Sequence, residues 1–139
     1  MPTEQKSLRI RSSTLRVIEE IARERASDFS TVANDFLAQA ARMARCPGIV
    51  YAPGPTVPRA RIAGTGIEVW EVVATYRSLR KNLDRLRRAY PQLSIAQLLA
   101  ALNYYRHFKT EIDRFVKANA AWTPAKLRSR YAFAAGAIK

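Results

Sequence analysis

One cysteine, one histidine and no long apolar run set the first limits on this chain of 139 residues. With Cys46 alone, no internal disulfide can form, and a reducing cytoplasm is the expected location. His107 lies far along the chain from Cys46, so no His/Cys cluster has the ligand spacing of a zinc site. No stretch approaches the roughly eighteen apolar residues that a membrane span needs. The opening Met1-Pro2-Thr3-Glu4-Gln5-Lys6 leads into no apolar run of the secretory kind. Glycine is scarce, five in all, and Gly64-Thr65-Gly66 lacks the further glycine and the strand–helix setting of a phosphate-cradling loop. No nucleophile motif appears, and Glu111 and Asp113 are two apart, so they are not neighbours on a helix. The chain therefore reads as non-enzymatic, with no catalytic residue, metal, cofactor or membrane partner expected.

Acid is scarce as well. Lysine and arginine number 24 against 11 aspartates and glutamates, a net charge of +13. A surplus of that size points to a polyanion, most often nucleic acid, or to an acidic protein, although basic surfaces also serve solubility. Its distribution is uneven. Residues 1–45 carry +2, residues 46–117 carry +7, and residues 118–139 carry +4 with no acid.

What is present divides the chain into a segment 1–46, an extended linker with short strands at 47–66, a helical segment 67–117, and a basic segment 118–139. Four of the five glycines and four of the seven prolines fall between Cys46 and Gly66, which excludes a helix there and favours extended pieces and turns.

In the first segment, Lys6-Ser7-Leu8-Arg9-Ile10-Arg11 alternates polar and apolar residues. As a strand it sets Leu8 and Ile10 on one side and Ser7, Arg9 and Arg11 on the other. A lone strand with an apolar face is unstable, and pairing with its own copy across a two-fold axis resolves this and implies a homodimer. Leu15, Ile18, Ile21 and Ala22 then recur at helical spacing, with N-cap candidates at Ser12, Ser13 and Thr14. Ala26-Ser27-Asp28-Phe29 reads as a turn. Ser30 or Thr31 reads as the next N-cap, ahead of a face built from Val32, Ala33, Phe36, Leu37, Ala40 and Ala41.

Strand, helix, turn, helix over these motifs resembles the ribbon-helix-helix regulators of the CopG, Arc and ParD kind. That resemblance implies paired strands in the major groove of operator DNA, with Ser7, Arg9 and Arg11 against base edges. It also implies a phosphate held at Ser30 and Thr31. The turn departs from the common pattern, because Ala26-Ser27-Asp28 carries no glycine. Arg9 and Arg11 would equally suit a charged edge strand that resists aggregation.

The central segment shows three expected helices. One begins near Glu68 with Val69, Val72, Val73 and Tyr76 and reaches Leu79 or Arg80. A short one is capped by Asn82 and closed by Pro91. A long one follows the capping box Ser94-Ile95-Ala96-Gln97 and runs through Leu98, Leu102, Tyr105, Ile112 and Val116. Tyr104, Tyr105, Phe108 and Phe115 suit core or dimer packing better than base stacking. The expected fold class is mainly α, a ribbon-helix-helix dimerisation module followed by a small three-helix unit of helix-turn-helix type. Arg77, Arg80, Lys81, Arg85, Arg87 and Arg88 form the densest basic run. Arg80, Lys81, Arg85 and Arg88 are candidate phosphate contacts, or else a solvated helix face.

Ile62-Ala-Gly-Thr-Gly-Ile-x-Val-Trp70, Tyr90-Pro-x-Leu-Ser94, Ala101-Leu-x-Tyr-Tyr105 and Glu111-Ile-Asp113 resemble, over residues 59–116, the domain of unknown function 433 that accompanies VapB-type antitoxins. Where that family commonly has Gly-Thr-Arg-Ile-Pro-Val, this chain has Gly64-Thr65-Gly66-Ile67-Glu68-Val69, so no role of that arginine carries over. The resemblance implies an antitoxin that represses its own operon and neutralises a toxin with an acidic site, of PIN ribonuclease type. Trp122, Arg128, Arg130, Tyr131 and Phe133 in the basic C-terminal segment are the candidate toxin contacts. The same segment could instead pack back on its own dimer. A stand-alone regulator without a toxin is the alternative function.

Overall fold

Helices dominate the described residues, 2–53 and 57–120, of the computed structural model. There are six of them, with a single two-stranded sheet. The chain divides between Arg45 and Cys46 into two units.

The first unit holds α1 (Ser12–Glu24) and α2 (Phe29–Arg45). Ser12, Ser13 and Thr14 do not cap α1. They lie inside its first turn, and Arg11 occupies the cap position without a side-chain bond, because the chain enters the helix directly from an extended segment. Helix α1 ends on Ala26, whose φ of 49° is left-handed. The Ser27 amide then donates to the Ala22 carbonyl at 2.9 Å and the Ala26 amide to Arg23 at 3.1 Å. Alanine here does the work a glycine usually does, satisfying carbonyls that the helix end leaves free.

The N-cap of α2 is Asp28, not Ser30 or Thr31. Its carboxylate accepts the Thr31 amide at 2.6 Å, and its carbonyl accepts the Val32 amide at 3.2 Å. Asp28 wins because it stands three residues before the first free amide that its short side chain can reach. Residues 6–11 form no strand within the single chain. A strand needs a ladder partner, and these residues have none among the described residues.

The second unit opens with β1 (Ile49–Ala52) and β2 (Arg59–Ile62), an antiparallel pair in register Ile49 with Ile62 and Ala52 with Arg59. Residues 47–66, expected as a linker with short strands, thus hold a hairpin whose Ile49, Ala60 and Ile62 belong to the core. The glycine-rich stretch after β2 is a turn closed by Thr65. Its hydroxyl donates to the Ile62 carbonyl at 2.9 Å and accepts the Ile67 amide at 3.0 Å.

Four helices follow where three were expected: α3 (Val69–Ser78), α4 (Leu83–Ala89), α5 (Ile95–His107) and α6 (Lys109–Ala118). Asn82 caps α4 by accepting the Arg85 amide at 3.0 Å. At α5 the expected capping box forms in full. Ser94 Oγ accepts the Gln97 amide at 3.1 Å while Gln97 accepts the Ser94 amide at 2.8 Å. The long final helix breaks at Phe108, where φ is −128° and ψ 47°. The Phe108 ring lies 4.8 Å from that of Tyr104, so the break turns α6 while keeping its aromatic in the core. Val69, Val72 and Val73 of α3, Leu86 of α4, Leu98, Ala101 and Tyr104 of α5, and Ile112 of α6 are buried together.

Candidate nucleic-acid interface

The first unit buries little of its own apolar surface. Among its described residues Ala22 and Val32 alone are buried, while Leu8 is 63% exposed, Leu37 58% and Val17 53%. A groove of about 1100 Å³ runs between the N-terminal segment and the two helices, with Leu8, Ile10, Val17, Ile18, Phe36 and Leu37 among its walls. A helical pair of this size with two buried side chains has too small a core to stand alone. The groove leaves apolar surface open, and its walls include Ile18, Ala33, Phe36, Leu37 and Ala40 from the helical faces marked by spacing.

Ser7, Arg9 and Arg11 are all exposed. They alternate with Leu8, and with Ile10, which is half-buried and lines the groove. Ser7 and Arg11 also border the groove, at its rim, whereas Arg9 stands outside its lining, and both guanidinium groups are exposed. Each guanidinium presents a planar fork of donors that matches the O6 and N7 acceptors of guanine.

Ser30 and Thr31 sit in the first turn of α2, exposed, next to the positive end of its dipole. Their surroundings modify the expected phosphate site. The Thr31 amide is already taken by Asp28, and that hydrogen bond holds the Asp28 carboxyl below the ordinary aspartate range. A carboxylate thus stands at the helix end where a phosphate would come, and it takes the Thr31 hydroxyl as well as the Thr31 amide, leaving the Ser30 amide and hydroxyl as donors. Sequence pattern singled out the hydroxyls and passed over Asp28; its position three residues before Thr31 was the available signal.

In the second unit the basic run separates into two kinds of residue. Arg77 is not a free cation. Its guanidinium bonds both the Asp113 carboxylate and the Tyr105 hydroxyl, and Tyr105 in turn donates to Asp113 at 2.8 Å. These bonds, the Tyr105 hydroxyl first and the Arg77 guanidinium after it, hold the Asp113 carboxyl below its usual range. Asp113 and Glu111 thereby find separate partners, since Tyr104 donates to Glu111 at 2.5 Å and shares a 2.8 Å contact with the Tyr51 hydroxyl. Burial first, and then these hydrogen bonds, push the Tyr104 hydroxyl well above its ordinary value. Arg59 is likewise engaged, with Glu68 at 2.8 Å and over the Phe115 ring at 4.3 Å.

Arg80, Lys81, Arg85 and Arg88 are exposed. Arg80 and Lys81 form the turn between α3 and α4 with φ of 56° and 57°, and the Lys81 amide donates to Tyr76 at 2.8 Å. Trp122, Arg128, Arg130, Tyr131 and Phe133 lie outside the described residues. Among the described residues no group of three or more His, Cys, Asp or Glu side chains is arranged to hold a metal ion. No described helix is long and apolar enough to cross a membrane.

The family match to known proteins lies in the second unit. The family described as "Protein of unknown function (DUF433)" matches residues 49–105, from the start of β1 almost to the end of α5. A crystal structure of a DUF433 member protein from Anabaena variabilis ATCC 29413, at 2.00 Å resolution, is 32% identical in sequence. The alignment covers 78% of this chain and 99% of that one, with a TM-score of 0.44. No curated protein matches the chain.

Proposed function

We propose that this chain, which belongs to the DUF433 family of unknown function, is a dimeric operator-binding repressor and the antitoxin of a toxin–antitoxin pair. One observation carries the DNA-binding half. The segment 6–11 lies along an open apolar groove with Leu8 and Ile10 in its wall, while Ser7, Arg9 and Arg11 are all exposed and Arg9 stands outside the groove's lining. A second copy would supply the missing strand and cover the groove in one step, and a two-fold pair of strands suits a palindromic site.

The antitoxin half rests on the resemblance of the central segment to antitoxin-associated domains and on the basic C-terminal segment. A toxin with an acidic site is the partner that such a segment fits, with Arg128 and Arg130 as its charged contacts. A stand-alone regulator makes the same DNA prediction. The two are separated by whether a neighbouring reading frame encodes an acidic-site nuclease that co-purifies with this chain.

The test is fluorescence anisotropy on the chain's own upstream promoter and on random duplex at physiological salt. Wild type binds the promoter more tightly, and Arg9→Ala loses about 1–3 kcal/mol of that preference, the worth of one bidentate base contact. Equal affinity of both proteins for both duplexes would overturn the reading.

A further inference from the structure

Helices α4 and α5, joined by the turn at Tyr90–Leu93, stand in helix-turn-helix order. In such a unit the exposed face of the second helix reads base edges and needs polar donors. Here that face is apolar. Ile95 is 37% exposed and Leu99 48%, and Leu102, half-buried, continues the stripe at the spacing i, i+4, i+7. No side chain in that stripe can donate to a base.

Its rim is charged. Arg87 and Arg88 share with Leu93 and Ile95 a shallow recess of about 500 Å³, in which Asp84 is the single acid. Arg106 ends the stripe one turn beyond Leu102 and is exposed. None of these three arginines is ion-paired among the described residues. An apolar stripe with cations at both ends fits an amphipathic helix that carries carboxylates beside its apolar residues. A second copy of the same face would set arginines against arginines, and the acid-free segment 118–139 would do the same.

We infer that the exposed face of α5, from Ile95 to Leu102 with Arg87, Arg88 and Arg106 around it, is a docking surface for an acidic amphipathic helix of a partner protein. This surface is distinct from the C-terminal toxin contact proposed above and does not depend on it.

The probe is a stapled helical peptide with leucines on one stripe and glutamates beside them. Its control has lysines in place of the glutamates. Binding of each to the full chain is followed by anisotropy. The glutamate peptide binds saturably, and Leu99→Glu and the double variant R87E/R88E each weaken it by about tenfold or more. R87E/R88E gains the lysine peptide. All these positions are exposed, and thermal melts of the variants verify the fold. Four results would overturn the inference: no saturable binding, equal binding of both peptides, indifference to Leu99→Glu, or a self-association that Leu99→Glu alone dissolves.

Discussion

Ala26 and Gly48 both hold φ in the left-handed half of conformational space, at 49° and 91°, and they call for opposite substitutions. Ala26 is exposed at the end of α1 and carries a side chain where none is wanted. Ala26→Gly is expected to stabilise the first unit by about 0.5–1 kcal/mol, less whatever the freer unfolded chain takes back. Gly48 leads into β1, and a Cβ placed there would meet the Ala100 Cβ at 3.1 Å. Gly48→Ala is expected to destabilise by roughly 1–3 kcal/mol through strain and close approach together. Urea unfolding followed by circular dichroism measures both, and a shift of the same sign in the two variants would contradict these assignments.

Asp28 makes a third residue-scale prediction. Its carboxyl is held below the ordinary range by the Thr31 amide, so its contribution is present above the unfolded aspartate value and lost as pH falls through the folded one. Asp28→Asn keeps an acceptor at the cap and removes the charge. The variant should lose less stability than wild type between pH 5 and pH 2, about the span in which such a carboxylate protonates, and it should bind duplex DNA more tightly at neutral pH. Parallel acid limbs in the two proteins would remove Asp28 from the account. That this aspartate, not Ser30 or Thr31, caps α2 was legible only in part. All three residue types are good caps, and the choice among them depends on which amide is left free by the preceding turn.

At the scale of elements, local chemistry was the most readable layer. Asn82 and the Ser94–Gln97 box mark helix starts through bonds within three residues, and α4 and α5 begin where they stand; Pro91, with no amide hydrogen to continue a helix, lies just past the end of α4. The break between α5 and α6 carried no such mark. Leu98, Leu102, Tyr105, Ile112 and Val116 keep a continuous spacing across it, because both helices face one core. Likewise, Arg77 reads as one more cation of a basic run until Asp113, thirty-six positions away, is brought beside it. Such pairings are products of the tertiary fold and leave no trace in spacing. The groove of the first unit, by contrast, follows from the helical faces themselves. Leu37→Glu puts a charge into that groove at an exposed position, so the chain should sediment as a monomer while its helices persist. Amides of residues 6–11 should then exchange freely, where in the wild type they are protected in a concentration-dependent way. A Leu37→Glu protein that sediments like wild type would dissociate the groove from self-association.

Across the whole molecule, net charge and the proposed base-reading residues are separated. Residues 1–45 carry +2, yet they hold the exposed Arg9 and Arg11; the remainder carries +11. Part of that surplus is internal, since Arg59 and Arg77 are spent on Glu68 and Asp113. Among the described residues, Arg80, Lys81, Arg85, Arg87 and Arg88 face outward, as do Arg106, Lys109, Arg114 and Lys117, which suits phosphates or carboxylates more than base edges. Specificity for DNA, in this account, is therefore a property of two short segments brought together by dimerisation, and bulk basicity adds only salt-dependent affinity.

The most direct measurement is the stoichiometry and affinity of the chain on a palindromic site from its own promoter, beside an isolated half-site and a scrambled duplex, at physiological salt. Two chains per palindrome are predicted, with the half-site and scrambled duplex bound far more weakly and with Leu37→Glu unable to discriminate among the three. One chain per palindrome, or equal affinity of the wild type for all three duplexes, would contradict a paired ribbon that reads DNA.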